Sequence, residues 1–228
     1  MFSIRGDSHY DSDSPSPGAD DNASSVAVLL ELARKLKPYQ KQLEDSKYGV
    51  QIAFWGNEEN PLNGQEVYDC DSEETVISNN MGSHKFADYL SRKRTDIDQV
   101  ICLDMVGLGK GLYALIQKKS QTKKRDRSLE DTLPLSIFNK SIEQIRLKLA
   151  FTKSSTTIID DPQKRTLGNL SSDHINFRAE DCIFITNAAY NANYHRNTDL
   201  PDTLSYKQME QLCLVLEKVV LKRSGITP

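Results

Sequence analysis

Five places in the 228-residue sequence hold side chains that a divalent cation would attract. His9 and Asp11 stand near the start, Asp20 and Asp21 in a loop-forming stretch, Glu58 and Glu59 further on, Asp104 in an apolar run and His195 toward the end. Each has a plainer reading when taken alone. A single His after a strand is usually structural. An Asp-Asp-Asn run ahead of a helix serves capping and dipole compensation. A Glu pair decorates a loop, and His195, like His84, reads as a surface histidine. Asp104 fits such readings poorly, because it stands beside Leu103, Met105 and Val106, where an unpaired carboxylate is costly to bury. Together the plain readings weaken. Adjacent carboxylates repel, and a cation removes that repulsion. His and carboxylate ligands suit zinc, at about 2.0–2.2 Å per bond. Three or four acids with two His are enough for two divalent ions sharing one carboxylate. A spare carboxylate beside such a pair would serve as general base.

The elements that must bring these residues together alternate between strand and helix. Residues 1–8 read as a short extended stretch ending at His9, and 10–22 as a loop rich in Ser, Pro, Asp and Gly. A helix is expected from about Ala23, with Val26, Leu29, Leu30, Ala33 and Leu36 on one face, capping candidates in Asp21, Asn22 and Ser24, and an end at Pro38. Residues 50–55, 100–105, 112–117 and 182–186 read as apolar strands. Residues 82–92, 134–149 and 205–223 read as helices, and 57–81 as a loop too long for a plain turn. This alternation argues for an α/β sandwich with helices on both sheet faces, whose functional groups gather at the carboxyl ends of the strands.

Composition narrows the classes. Charged residues make up 27% and hydrophobic ones 38%, a mixture foreign to fibrous or wholly disordered chains. The net charge of −3 gives no general attraction to nucleic acid or to an anionic membrane. Residues 118–127 hold six basic residues with no apolar partner, which reads as a solvated loop. No apolar run reaches the roughly 18 residues of a membrane span, and no signal peptide is visible, so a cytoplasmic location is expected. Cys70, Cys102, Cys182 and Cys213 are spaced unlike a zinc ribbon or redox pair and read as small buried hydrophobes.

Seven runs occur in order: His9-Tyr10-Asp11-Ser12, Pro17-Gly18-Ala19-Asp20-Asp21-Asn22-Ala23-Ser24, Asn57-Glu58-Glu59, Met81-Gly82-Ser83, Leu103-Asp104-Met105, Ser172-Asp173-His174 and Tyr194-His195, followed by Asp199, Asp202, Thr203 and Leu204. In these the sequence resembles the co-catalytic di-zinc aminopeptidases of clan MH, over about residues 4–215. The resemblance implies a three-layer α/β/α sandwich around a mixed, mostly parallel sheet, with residues 1–228 as one zinc peptidase catalytic domain. It implies two Zn2+ per chain, one held by His9, Asp21 and Asp104, the other by Asp21, Glu59 and His195. Asp21 would bridge, Asp11 would orient His9 from behind, and Glu58 would be the general base. The peptide bond after the bridging Asp would be cis. The implied activity is hydrolysis of N-terminal peptide bonds, with a peptide substrate as partner.

Several features depart from that family's pattern. The segment between Glu59 and Gly82 is longer than in many members and reads as a pocket wall. Residues 166–171 lack the Tyr that some members place before Ser-Asp-His, which leaves Tyr190 and Tyr194 as candidates by position. Arg196-Asn197-Thr198 replaces a more usual Thr-Pro-rich step. The two strands and helix that usually precede His-Tyr-Asp-Ser do not stand before it here: either the sequence is clipped, or the sheet loses an edge, and a lost edge would expose strand backbone and favour a homo-oligomer. The alternatives are a relative resembling glutaminyl cyclases or carboxypeptidases, or an inactive binding module. Cyclases usually carry Thr-Asp-Ser where Ala19-Asp20-Asp21-Asn22 stands, and an inactive module would have no reason to keep every ligand position.

Overall fold

The computed structural model describes residues 2–59, 68–69, 74–75, 81–95, 97, 99–109, 112–118, 147–151, 172–177, 181–188 and 191–227. Eight strands and four α-helices fall within them: β1 (Phe2–His9), α1 (Ser25–Leu36), α2 (Gln40–Glu44), β2 (Tyr48–Trp55), β3 (Tyr68–Asp69), β4 (Glu74–Thr75), α3 (Gly82–Lys93), β5 (Gln99–Asp104), β6 (Leu112–Lys118), β7 (Leu147–Phe151), β8 (Asp181–Thr186) and α4 (Tyr206–Arg223). Six strands form one sheet in the order β2-β1-β5-β8-β6-β7, and β3 pairs with β4 apart from it. β2, β1, β5 and β8 run parallel, β6 is antiparallel to β8, and β7 is parallel to β6. The expected mixed, mostly parallel sheet is what the chain forms.

Side-chain alternation along β1 sorts the two faces. Ile4 packs with Val28, Leu29, Leu32 and Leu36 of α1 and with Leu212, Leu216 and Val219 of α4. A Cβ on Gly6 would come within 3.0 Å of Leu29 Cδ2, so α1 lies tight against the strand there. Arg5 points the other way, between the rings of Phe86 (4.5 Å) and Phe177 (5.0 Å). On that side Trp55, Leu90, Val100, Phe177 and Cys182 form a second core beneath α3. Helices on both faces make three layers. Cys102, Cys182 and Cys213 are buried free thiols, as expected; Cys70 lies outside the described residues.

Four expectations change. The buried stripe of α1 is Val28, Leu29, Leu32 and Leu36, while Leu30 is 56% exposed, because the helix wedges between the sheet and α4. Pro38 does not stop the helical path. It sits in the first turn of a 3₁₀ segment, Lys37–Tyr39, where its missing N–H costs nothing, and α2 follows. Asp21, Asn22 and Ser24 make no side-chain cap to α1. Residues 147–149, expected at the end of a helix, lie in β7 paired with β6; residues 134–146 lie outside the described residues. No helix among the described residues is long and apolar enough to cross a membrane.

Candidate metal centre

The parallel strands deliver their carboxyl ends to one side of the sheet. His9 is the last residue of β1 and Asp104 the last of β5, while Glu58 and Glu59 follow β2. β1 register sets His9 opposite Trp55, so the loop after β2 leaves beside it. Three residues next to or within the cluster, Asn57 (φ 64°), Met105 (φ 53°) and His195 (φ 56°), adopt left-handed backbone. Such conformations in non-glycine residues gather at functional sites, where the surroundings over-determine them.

Asp21 arrives on the loop before α1. Gly18 opens this loop at φ 70°, where a Cβ would come within 2.6 Å of Ser12 Cβ and 2.8 Å of the Asp21 carbonyl oxygen. The Asp21–Asn22 peptide bond is cis, as the resemblance implied. The next residues do not cap the helix. They stitch the loop to the segment after β5: Met105 N–H donates to Asn22 Oδ1 (3.1 Å), Val106 N–H to Ser24 Oγ (3.1 Å) and Gly107 N–H to Asp20 Oδ1 (2.7 Å). Asp20 Oδ2 accepts from Asn191 Nδ2 at 3.0 Å. So the two adjacent aspartates do different work. Asp20 is saturated with donors, whereas Asp21 turns toward the histidines.

His9 Nε2 lies 3.6 Å from Asp21 Oδ1 and 3.5 Å from Asp104 Oδ1. His195 Nε2 lies 3.5 Å from Asp21 Oδ2 and 2.8 Å from Glu59 Oε2. Ligand atoms of His9, Asp21 and Asp104 converge within 4.8 Å of one another, as do those of Asp21, Glu59 and His195, and those of His9, Glu58 and Glu59. Asp21 belongs to two of these groups, one through each oxygen. Behind the cluster, His9 Nδ1 faces the Asp11 carbonyl oxygen (3.1 Å) and Asp11 Oδ1 (3.5 Å), while Asp11 Oδ2 accepts Glu59 N–H at 3.3 Å. His195 has a matching neighbour that sequence reasoning missed: Asp13 Oδ2 lies 3.4 Å from its Nδ1. Nothing in the spacing of Asp13 distinguishes it from its loop.

Electrostatics show why the cluster suits a cation. Burial, reinforced by the charges of Asp104 and Glu59, pushes the Asp21 carboxyl up to about 10. Burial raises Glu58 and Glu59 as well. Burial works against a charged His9, but Asp104 and Asp11 outweigh it and hold the imidazole protonated well above its usual range. Asp21 Oδ2 and Asp104 Oδ1 are buried and accept no hydrogen bond among the described residues. Lone pairs aimed at one another, with oxygen and imidazole donors only, fit zinc and similar divalent ions. Tyr194 stacks on His195, ring centroids 3.7 Å apart, at the exposed rim. Tyr190 and residues 166–171 lie outside the described residues, as does most of 60–80.

A mixed, mostly parallel α/β sheet between two helical layers, carrying a His-carboxylate cluster at the carboxyl ends of its parallel strands, defines the class: a three-layer α/β/α fold with a candidate metal centre. The profile of Peptidase family M28 matches residues 6–220, and the chain belongs to that family. It is 29% identical over 221 residues to the uncharacterized protein YfbL of Escherichia coli (strain K12), covering 90% of this chain and 62% of YfbL. Among solved structures it is similar to BSAP, a zinc aminopeptidase from Bacillus subtilis (TM-score 0.62, 21% identity, 97% of this chain and 46% of that one). It is also similar to a glutaminyl cyclase from Porphyromonas gingivalis (TM-score 0.63, 19% identity, 97% of this chain and 72% of that one). At these identities the likeness carries the fold. The chain spans less than two thirds of YfbL and under half of BSAP.

Proposed function

We propose that the chain is a zinc-dependent exopeptidase that removes N-terminal residues from peptides. The observation that carries this reading is Asp21, whose two oxygens face two separate His-carboxylate groups. His9, Asp21 and Asp104 would hold one zinc, and Asp21, Glu59 and His195 a second. Bound there, the ions would supply a lowered pKa for water and polarisation of the scissile carbonyl. Glu58 stands beside His9 and Glu59 and is left over from the two ligand sets. It would take the proton of the attacking water and hand it to the leaving amine as the C–N bond breaks. Asp11 would fix the imidazole of His9 through Nδ1, leaving Nε2 for the metal.

The test is zinc content by plasma emission on protein purified without chelator, with aminoacyl anilides as substrates and the Glu58→Gln variant alongside. About two zinc per chain are expected in both proteins. Hydrolysis in Glu58→Gln should fall by about 10²–10⁴-fold. Wild-type protein that neither carries zinc nor binds added zinc would overturn the reading. Zinc-loaded protein that cyclises an N-terminal glutaminyl peptide and leaves anilides intact would instead favour the cyclase alternative, which the fold also accommodates.

A further inference from the structure

We propose that Asp199 is a positioning residue for the bridging carboxylate, clasping the Asp21 loop to the segment that carries His195; the inference rests on the metal reading above. Asp199 is fully buried and lies four residues after His195. Three consecutive backbone N–H groups converge on it. Ala19 N–H donates to its carbonyl oxygen (3.2 Å), Asp20 N–H to Oδ1 (2.9 Å) and Asp21 N–H to Oδ2 (3.0 Å). Its own N–H returns to the Arg196 carbonyl oxygen at 3.1 Å, which folds the chain back toward His195.

The donors need such a partner. Asp21 and Asn22 depart from helical backbone (φ −106°, ψ 85° and φ −134°, ψ 30°), so this turn does not follow the regular helical ladder. Buried N–H groups left unpaired are costly, and a carboxylate that accepts two of them is among the stronger partners available. Both Asp199 oxygens are occupied by backbone, so this acid is spoken for as a ligand. Its effect is on distance. Asp21 Oδ1 reaches His9 at 3.6 Å and Oδ2 reaches His195 at 3.5 Å. The backbone of Asp21 and the segment of His195 are joined through one side chain, so Asp199 sets the span that the bridging carboxylate must cover. Asp20 works elsewhere, tying the same loop to Gly107 and Asn191.

The test is zinc affinity of the full chain, measured by competition with a chromophoric chelator, for wild type and Asp199→Asn. The amide keeps the shape but sets an NH2 against one of the two N–H donors. Affinity should fall about 10–100-fold, as for other groups that orient metal ligands, while the circular dichroism of the metal-free variant stays that of wild type. Unchanged affinity with a lower melting temperature would overturn the inference and leave Asp199 as a purely structural acid. A second measurement needs no variant. Amide exchange of Asp20 and Asp21 in metal-free wild type should be slow, because the clasp precedes the metal. Fast exchange that slows only when zinc is added would mean that the metal organises this loop, and would overturn the inference even where Asp199→Asn fails to fold. Wild type that binds no zinc removes the metal reading and this inference with it. Wild type and variant that bind zinc alike remove only the inference.

Discussion

Replacing Asp20 and its neighbour Asp21 separately should give opposite patterns. In Asp20→Ala, Gly107 N–H loses its acceptor and Asn191 Nδ2 keeps only the weak contact to Met105 Sδ at 3.5 Å, while Ser24 Oγ keeps the Asp20 carbonyl oxygen at 2.8 Å. Asn191 cannot simply turn its amide, because its Oδ1 accepts Asn193 N–H at 2.8 Å. One orphaned donor puts the loss at about 1–3 kcal/mol, and the weakened pairing of Asn191 adds to it. The loss should depend on pH. Burial pushes the Asp20 carboxyl up to about 7, against the pull of the Gly107 N–H. A raised folded pKa means that the folded state holds the proton more tightly than the unfolded one. The wild-type contribution is therefore whole below the ordinary carboxylate range and fades as pH rises through about 7. The gap between wild type and Asp20→Ala should therefore be larger at pH 5.5 than at pH 7.5. Asp21→Asn deprives no donor at Oδ2, which accepts none, and loses only the 3.6 Å approach of His9 Nε2 to Oδ1, so its stability cost should be smaller than that of Asp20→Ala. Its zinc binding should collapse. The assay is urea unfolding of metal-free protein at pH 5.5 and 7.5, with zinc content measured in parallel. If Asp20→Ala costs less than about 1 kcal/mol at pH 5.5, the residue is doing no more than a surface cap would. If Asp21→Asn costs as much as Asp20→Ala, the division of labour between them is wrong.

Asp13→Asn should weaken zinc at the His195 position by up to about 10-fold, because the amide orients Nδ1–H less strongly than the carboxylate 3.4 Å away; a two-step zinc titration separates this from the effect of Asp11→Asn on the His9 position. His174 is stacked on Phe184 at 4.4 Å, and burial lowers its pKa to about 4. A depressed folded pKa gives stability that is present above about 6.5 and lost as pH falls toward 4, worth at most about 3 kcal/mol. His174→Phe should remove that acid-side loss, read as a smaller drop in melting temperature between pH 7 and pH 4.5 than in wild type.

What the sequence showed of the fold followed from how many solutions each segment allowed. The strands ending at Trp55, Asp104 and Thr186 are short apolar runs between polar stretches, and each became a strand at nearly the expected bounds. Residues 147–151 were ambiguous. Leu147, Leu149 and Phe151 alternate with period two, yet Leu149 also continues the helical spacing of Leu135, Phe138, Ile142 and Ile145. Pairing with β6 decides between them, and a partner in another part of the chain is not written locally. Pro38 misled for a related reason, since a proline ends a helix only where its N–H would have been used. At the candidate site the ligand-type residues were readable because their types are unusual in their surroundings. Asp13 and the clasp by Asp199 were not, because acids in a polar loop look alike until the fold sets each against a donor or a histidine.

Donor supply around each buried acid then sorts their work. Asp20 and Asp199 are surrounded by N–H and O–H groups, and their oxygens hold loops together as acceptors. Asp7 and Asp173 lie deep, and burial pushes them up to about 8 and about 7, toward the neutral acid. Asp21 and Asp104 differ in what their oxygens face. Each leaves an oxygen without a donor, and those oxygens face His9 and His195, themselves held from behind by Asp11 and Asp13. Protonation would relieve the repulsion at the cost of the ligand, whereas a divalent cation relieves it and uses every lone pair. The buried carboxylates thus differ first in their partners, some held by donors and some facing imidazoles in an arrangement suited to metal. Only the latter leaves the carboxylate lone pairs directed at imidazoles, which is what sets Asp21 apart from Asp20 at the candidate centre.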